Sequence, residues 1–342
     1  TASITGYELS LEVDVGARVL SLAVGLPVST GAADNIVLGL EDRVVVYGSR
    51  QGTLVRLAET QPEPGARFAD LALADLDGDG REEVIAAPEG MAALYFYRLF
   101  GQTAEELRLE ILAIRVLPGQ AQKVTTFRRA GYPAPVVAVA YQNNSTSGLL
   151  ILIFTELGFA EGPALENLPA PLTALTAGDL RERAGEELAW GGNDGILRVL
   201  EVNGELEVAL TSDNLGSGIS ALTAGKLAKE SMDTLVAGTP EGFLFGFRAP
   251  VESSTPDWAA RTGNPVNDLA VSDEGLLGLG TADGGVQVWL LSTRNVMKHT
   301  VRPGETLFTI AGLYGTTVQA IVAANMLADP SLIFPGQKLR IP

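Results

Sequence analysis

The sequence predicts a mainly β protein, a six-bladed β-propeller of short strands followed by a small βααβ module. Two segments repeat without a gap at an offset of 47 residues: "ALTAGDLRERAGEELAWGGNDGILRVL" from Ala174 and "ALTAGKLAKESMDTLVAGTPEGFLFGF" from Ala221. Up to residue 292, short apolar runs alternate with turn residues, and helical periodicity is scarce. From His299 onwards the pattern changes to strand, helix, helix, strand.

Each repeat reads as strand, long turn, strand, tight turn, strand, which is typical of a propeller blade. The tight turn recurs at steps of roughly 42 to 58 residues, near Asp42, Gly90, Gly148, Gly195, Gly242 and Gly284. This ladder predicts six blades. A count of seven stays open, because one more blade would fit in the longer stretches 102–118 or 160–169.

The last predicted blade, Val266 to Leu291, shows only three strands. The N-terminal stretch "YELSLEVDV", Tyr7 to Val15, alternates apolar and polar residues as a half-buried strand does. We expect it to supply the missing outermost strand. The predicted domains are therefore 1–292, a propeller closed by the N-terminal strand, and 298–342. The same strand given to a second copy would instead build a filament.

The composition excludes several functions. The formal charge is −17 at pH 7, which disfavours nucleic acid and anionic membranes as partners. Cysteine is absent, so disulfides and thiol chemistry are excluded. No apolar run reaches eighteen residues, so we expect no membrane insertion. The first residue is Thr, which fits either a removed signal peptide or an arbitrary start of the numbering. We favour export and expect an extracellular or cell-envelope location.

The stretch "LADLDGDGREEV", Leu73 to Val84, has the spacing of a calcium loop. Acidic residues occupy every second position, and Gly78 and Gly80 allow a sharp fold of the backbone. Calcium takes six to eight oxygen ligands. The candidate ligands are the carboxylates of Asp75, Asp77, Asp79 and Glu83 and the carbonyl of Arg81. The alternative is a solvated acidic turn.

This loop resembles those of FG-GAP or VCBS repeats, which build integrin-like propellers and carry calcium between the first two strands of a blade. The resemblance implies one structural calcium ion. Glu83 departs from the Asp usual in the family by one methylene group. In later repeats the acidic pattern is lost, with Arg181 and Arg183 in one copy and Lys226 in the next.

The tail "HTVRPGETLFTIAGLYGTTVQAIVAANMLADPSLIFPGQKLRIP" resembles a LysM domain over its whole length. Thr306 and Gly315 are placed to cap a first helix, and Thr316 with Gln319 to begin a second. The resemblance implies binding of N-acetylglucosamine polymers, peptidoglycan or chitin, in a shallow groove. That groove would be formed by Gly304, Glu305, Thr306 and Leu307 facing Leu332, Ile333 and Phe334.

No catalytic constellation is visible. The single histidine, His299, has no cysteine or activated serine beside it in sequence, and the acidic pairs read as solvated. We therefore predict a non-enzymatic surface protein whose LysM module binds glycan and whose propeller presents a rigid surface to other proteins. Two alternatives stay open: a subunit that polymerises with copies of itself into a filament or coat, and a glycan hydrolase that uses propeller carboxylates.

Overall fold

The computed structural model describes residues 15–28, 35–50, 53–101, 106–144, 146–227, 231–271, 277–281, 286–289, 297–325, 327 and 329–341. The chain divides into two compact units. The first comprises Thr1–Thr126, Ala134–Asn144 and Leu152–Ala160, and the second comprises Phe127–Pro133, Ser145–Ile151 and Glu161–Pro342.

Within the described residues, five antiparallel sheets have four strands each, joined in chain order as in propeller blades. Blade 1 contains β1 (Ser21–Gly25), β2 (Asn35–Gly39), β3 (Val44–Arg50) and β4 (Thr53–Glu59), and blade 2 contains β5 (Arg67–Ala74), β6 (Glu83–Glu89), β7 (Ala93–Phe100) and β8 (Arg108–Val116). Blade 3 contains β9 (Gln120–Phe127), β10 (Val136–Asn143), β11 (Thr146–Thr155) and β12 (Gly158–Leu165). Blade 4 contains β13 (Leu172–Gly178), β14 (Glu187–Gly192), β15 (Leu197–Val202) and β16 (Leu206–Thr211). Blade 5 contains β17 (Ala221–Gly225), β18 (Thr234–Gly238), β19 (Phe243–Arg248) and β20 (Trp258–Arg261).

The blade count differs from the predicted six. A sixth sheet, of β21 (Val266–Val271), β22 (Leu277–Thr281) and β23 (Val286–Trp289), has three strands among the described residues. The next described strand, β24 (Met297–Thr300), pairs with β25 (Lys338–Ile341) and not with β23. The strand predicted to complete this sheet, Tyr7–Val15, lies outside the described residues except for Val15, which packs against blade 1.

The 47-residue offset seen in the sequence is also the structural offset. Ala174 pairs with Gly191 in blade 4, and Ala221 pairs with Gly238 in blade 5. The second strands are buried along their whole length, because each lies between two neighbouring strands of its own sheet and packs on both faces. Continuous apolar runs such as "TLVAG" therefore mark these strands better than alternation does.

A carboxylate at the start of the second strand links some blades to the preceding blade. Within the first unit, the Glu82 carboxylate accepts a hydrogen bond from Leu26 N–H, and Glu82 N–H donates to the Leu26 carbonyl at 3.1 Å. Within the second unit, the same two-way bond joins Glu186 to Arg128, and Asp233 to Asp179. The bond fixes the loop that follows the first strand of one blade against the next blade.

The C-terminal module packs two helices, α1 (Leu307–Tyr314) and α2 (Val318–Asn325), with the pair β24 and β25. Thr306 caps α1 with a capping box and Gly315 ends it in the left-handed conformation, as predicted. The start of α2 differs from the prediction. Thr317, not Thr316, accepts the capping hydrogen bond, from Ala320 N–H at 3.1 Å.

Among the described residues, no single helix has the length and apolar character needed to cross a bilayer. The two helices of the module meet these criteria only when they are counted together across a bend of 104°.

Candidate functional site

The acidic loop lies between the first two strands of blade 2, as the sequence predicts. One carboxylate oxygen from each of Asp75, Asp77 and Glu83 lies within 4.8 Å of the other two. The Asp75 carboxylate also accepts hydrogen bonds from the backbone N–H groups of Gly78, Asp79 and Gly80, at 2.8, 3.1 and 3.0 Å. These bonds wrap the loop around Asp75. The Asp79 carboxylate instead accepts from Arg81 N–H at 2.8 Å.

Arg98, on β7, is the counter-ion of this loop. Its Nε donates to Glu83 at 3.0 Å, and its guanidinium also contacts Asp77. Glu83 is fully buried and accepts a second hydrogen bond, from Leu76 N–H at 2.9 Å. Burial raises the pKa of Glu83 to about 7, against the effect of the Leu76 bond, and the neighbouring loop carboxylates add to the rise. The site therefore joins one buried carboxylate, Glu83, to the carboxylates of a loop in which Asp77 and Asp79 are exposed.

The equivalent loop of blade 4 keeps the buried glutamate. Glu187 accepts from the backbone N–H groups of Leu180 and Arg181, both at 3.0 Å, as Glu83 accepts from Leu76. Burial raises the pKa of Glu187 as well. The two loops thus share one backbone arrangement around a buried carboxylate.

The other charges of the two loops are inverted. Arg181 and Arg183 stand where blade 2 has aspartates, and both pair with Glu201, which stands in the position of Arg98. The strand registers establish this correspondence: Tyr97 pairs with Val84 just before Arg98, and Leu200 pairs with Leu188 just before Glu201. In blade 4, the positive charge of the loop therefore comes from the side chains of Arg181 and Arg183.

In the C-terminal module, a buried histidine holds the turn before α1. His299 Nε2 lies 2.7 Å from the Glu305 carboxylate, and Nδ1 lies 3.0 Å from the Tyr314 hydroxyl. The same carboxylate accepts from Arg302 N–H at 2.7 Å. This N–H bond, followed by the bond to His299, lowers the pKa of Glu305. The Glu305 carboxylate thus stabilises the turn before α1.

The two predicted glycan-binding segments, 304–307 and 332–334, both contact the core of the module. Leu307 is buried in that core, and Ile333 packs against it. Leu332 and Phe334 are 57% and 63% exposed, so they present an apolar surface to solvent. Gly304 has a φ of 83° and Thr306 caps α1. Of the seven predicted residues, Leu332 and Phe334 are the large apolar ones with exposed side chains.

Helix α2 also packs against the blades of the second unit. Ala320 and Ala323 are buried in a cluster that contains Leu215 of the loop after blade 4 and Phe243 of β19. Ile321, on another face of the helix, belongs to the core of the module. One short helix therefore serves two cores.

Comparison with known proteins identifies the C-terminal module. Residues 299–342 match the family model of the LysM domain. N-acetylmuramoyl-L-alanine amidase sle1, from two strains of Staphylococcus epidermidis, is 48% identical to this chain over 50 residues, which are 15% of this chain and 15% of the amidase. The match covers only the LysM region. This chain thus spans a small part of the relatives that it matches.

Solved structures resemble most of the chain in fold. A crystal structure of Sqt1 from Chaetomium thermophilum has a TM-score of 0.56 at 14% sequence identity and covers 84% of this chain and 77% of its own. A second Sqt1 structure has a TM-score of 0.55 at 14% identity and covers 80% and 68%. At this identity the likeness concerns the fold alone.

Proposed function

We propose that this chain is a non-enzymatic cell-envelope protein, whose LysM domain binds peptidoglycan or a chitin-like N-acetylglucosamine polymer and whose blades are a scaffold for other proteins. The observation that carries the proposal is the LysM match together with the exposed apolar pair Leu332 and Phe334. The amidase relative supports the choice of ligand, because its name places its action on N-acetylmuramoyl-L-alanine, a unit of peptidoglycan.

The packing of the LysM domain supports the scaffold role. Its contact with the blades of the second unit uses Ala320 and Ala323 on α2, and the proposed glycan surface uses other residues. Bound glycan would therefore be held in a fixed orientation to these blades. Apolar side chains stabilise sugar faces, and backbone amides near Gly304 would bond the acetamido groups.

Co-sedimentation tests the glycan proposal. The full chain should pellet with purified peptidoglycan or with chitin, and Phe334→Ser should bind roughly tenfold more weakly, because it loses apolar burial of about 1.5 kcal/mol or more. Leu157→Ser is the matched control, since Leu157 is fully exposed in a blade loop and should bind like the wild type. If the wild type stays in the supernatant with both polymers, the proposal is wrong.

We further propose, from the likeness of the acidic loop to FG-GAP loops, that blade 2 holds one structural calcium ion. The donor set fits: carboxylate oxygens within 4.8 Å of one another match the oxygen ligands that calcium takes at about 2.3–2.6 Å. Asp75, Asp77 and Glu83 would hold the ion, with Asp79 and the Arg81 carbonyl as further candidate ligands. The ion would supply positive charge that stabilises the loop. Arg98 supplies part of that charge already.

Thermal unfolding with calcium or with chelator tests this proposal. At a calcium concentration of one hundred times Kd, binding should add about 2.7 kcal/mol to the free energy of unfolding. Asp75→Asn should remove the gain, and Arg98→Gln should increase calcium affinity because a competing cation is lost. Glu182→Gln, an exposed acid in the equivalent loop of blade 4, is the control. Identical melting of the wild type in both conditions would leave the loop as a solvated acidic turn.

A further inference from the structure

A cleft of roughly 380 Å³ lies within the second unit, between the loop after β9 and the loop after β13. Its volume is near the lower end for small-ligand pockets. The two-way bond between Arg128 and Glu186 holds its walls together: Glu186 N–H donates to the Arg128 carbonyl at 2.8 Å, and the Glu186 carboxylate accepts from Arg128 N–H at 2.8 Å. An antiparallel bridge also joins Arg129 to Gly185. The cleft is therefore preformed.

One wall of the cleft presents Arg129, a cation without an acidic partner among the described residues. Arg129 is half-buried, with its Cζ 4.6 Å from the centre of the Tyr132 ring. No carboxylate of the described residues forms an ion pair with it. Arg128 on the same loop and Arg183 on the opposite loop add guanidinium groups to the lining, and their side chains are 80% and 54% exposed although each is paired with a glutamate. The cleft therefore offers N–H donors to a carboxylate.

The same cleft contains an acid, Asp179, whose carboxylate accepts no hydrogen bond within the described part of the chain. The backbone of Asp179 is bonded to Asp233 in both directions, but no donor among the described residues reaches the Asp179 carboxylate. Burial raises the pKa of Asp179, and Asp233 raises it further, while Lys226 and Arg128 act in the opposite direction. A cationic group of a ligand would supply the hydrogen-bond donor that this carboxylate lacks among the described residues.

We propose that this cleft binds a short peptide that carries both a free carboxylate and a primary ammonium group, the carboxylate at Arg129 and the ammonium at Asp179. The two side chains line one cleft and are not paired with each other, so a ligand of complementary charge pattern would satisfy both. A simple anion would be repelled by a chain of charge −17, whereas a zwitterion would not. This site is separate from the LysM surface and does not depend on glycan binding.

Calorimetric titration with the dipeptide Glu-Lys, which has free carboxylates and amines, tests the proposal on the full chain. We expect saturable binding at millimolar concentration. Acetylating both amines, or amidating both carboxylates, should weaken binding by roughly tenfold or more, because each removes charge-assisted hydrogen bonds. Arg129→Gln should abolish the preference for free carboxylates, and Asp179→Asn the preference for free amines. Arg108→Gln, at a paired arginine of β8 that does not line the cleft, should bind like the wild type.

Three results would overturn the proposal: no binding of Glu-Lys to the wild type, equal binding of the free and the blocked dipeptides, or unchanged selectivity in both cleft variants. Thermal melting checks that the variants are folded. If a variant does not fold, the comparison of free and blocked dipeptides on the wild-type chain decides alone.

Discussion

Gly246→Ala should lower the free energy of unfolding by about 3 kcal/mol. Gly246 pairs with Trp258 across β19 and β20, and the indole ring covers the space where a Cβ atom would lie. An added methyl group would overlap Cε2, Nε1 and Cζ2 of Trp258. Trp258 packs against the cluster that contains Leu244 and Leu277, so a shift of the ring would lose contacts with that cluster. Urea unfolding followed by circular dichroism measures the loss.

Gly278→Ala is the matched control for this prediction. Gly278 also lies in a strand, β22, but the nearest atom to its added Cβ would be the Ala270 carbonyl oxygen at 3.8 Å. We expect little change there. In a Trp258→Ala background, Gly246→Ala should cost much less, because the overlap is gone. Equal losses at the two glycines, or additive losses in the double variant, would contradict the steric explanation.

The strand pattern and the LysM domain could be predicted because their determinants are local. The offset of 47 residues aligned Ala174 with Ala221, and the structure pairs both in the same way. Thr306 begins α1 and Gly315 ends it, each through hydrogen bonds to residues of the adjacent helical turn. The position of the acidic loop followed from the same repeat.

The charge partners of the candidate site could not be predicted, because they depend on strand register and on neighbouring loops. Arg98 reaches the acidic loop from β7, and Arg129 meets Asp179 in one cleft only through the pairing of two loops. The sequence shows no partner for His299, whereas in the structure this residue of β24 is buried and bonded to Glu305. One sequence feature could have pointed to Arg98: the equivalent position in blade 4 is Glu201, which pairs with the arginines of its own loop. The two positions correspond only when the strand registers of the two blades are compared.

The blade count failed for a related reason. Turn spacing counts hairpins, whereas a four-stranded blade also needs an outer strand, and the sixth sheet has three strands among the described residues. The next described strand, β24, pairs with β25 of the LysM domain. The sequence pattern of Tyr7–Val15 is compatible with pairing to any exposed strand edge, because alternation does not select a partner.

Ala320→Glu should separate the LysM domain from the blades of the second unit. Ala320 is fully buried in the cluster around Phe243, so a glutamate there would place an unpaired carboxylate in an apolar contact, at a cost of several kcal/mol. Ile321 and the rest of the LysM core would be unaffected, since they lie on another face of α2. We therefore expect a folded LysM domain that is released from its docking site.

Differential scanning calorimetry distinguishes release from global unfolding. In the variant, the transition of the LysM domain should separate from that of the blades, and the blade transition should move to lower temperature because Leu215 and Phe243 lose their cover. Ala324→Glu is the matched control, since Ala324 lies on the same helix but is only half-buried and belongs to neither core cluster. Co-sedimentation of Ala320→Glu with peptidoglycan should match that of the wild type, because the exposed pair Leu332 and Phe334 is untouched. An unchanged single transition in Ala320→Glu would show that the contact of α2 with the blades contributes little to stability.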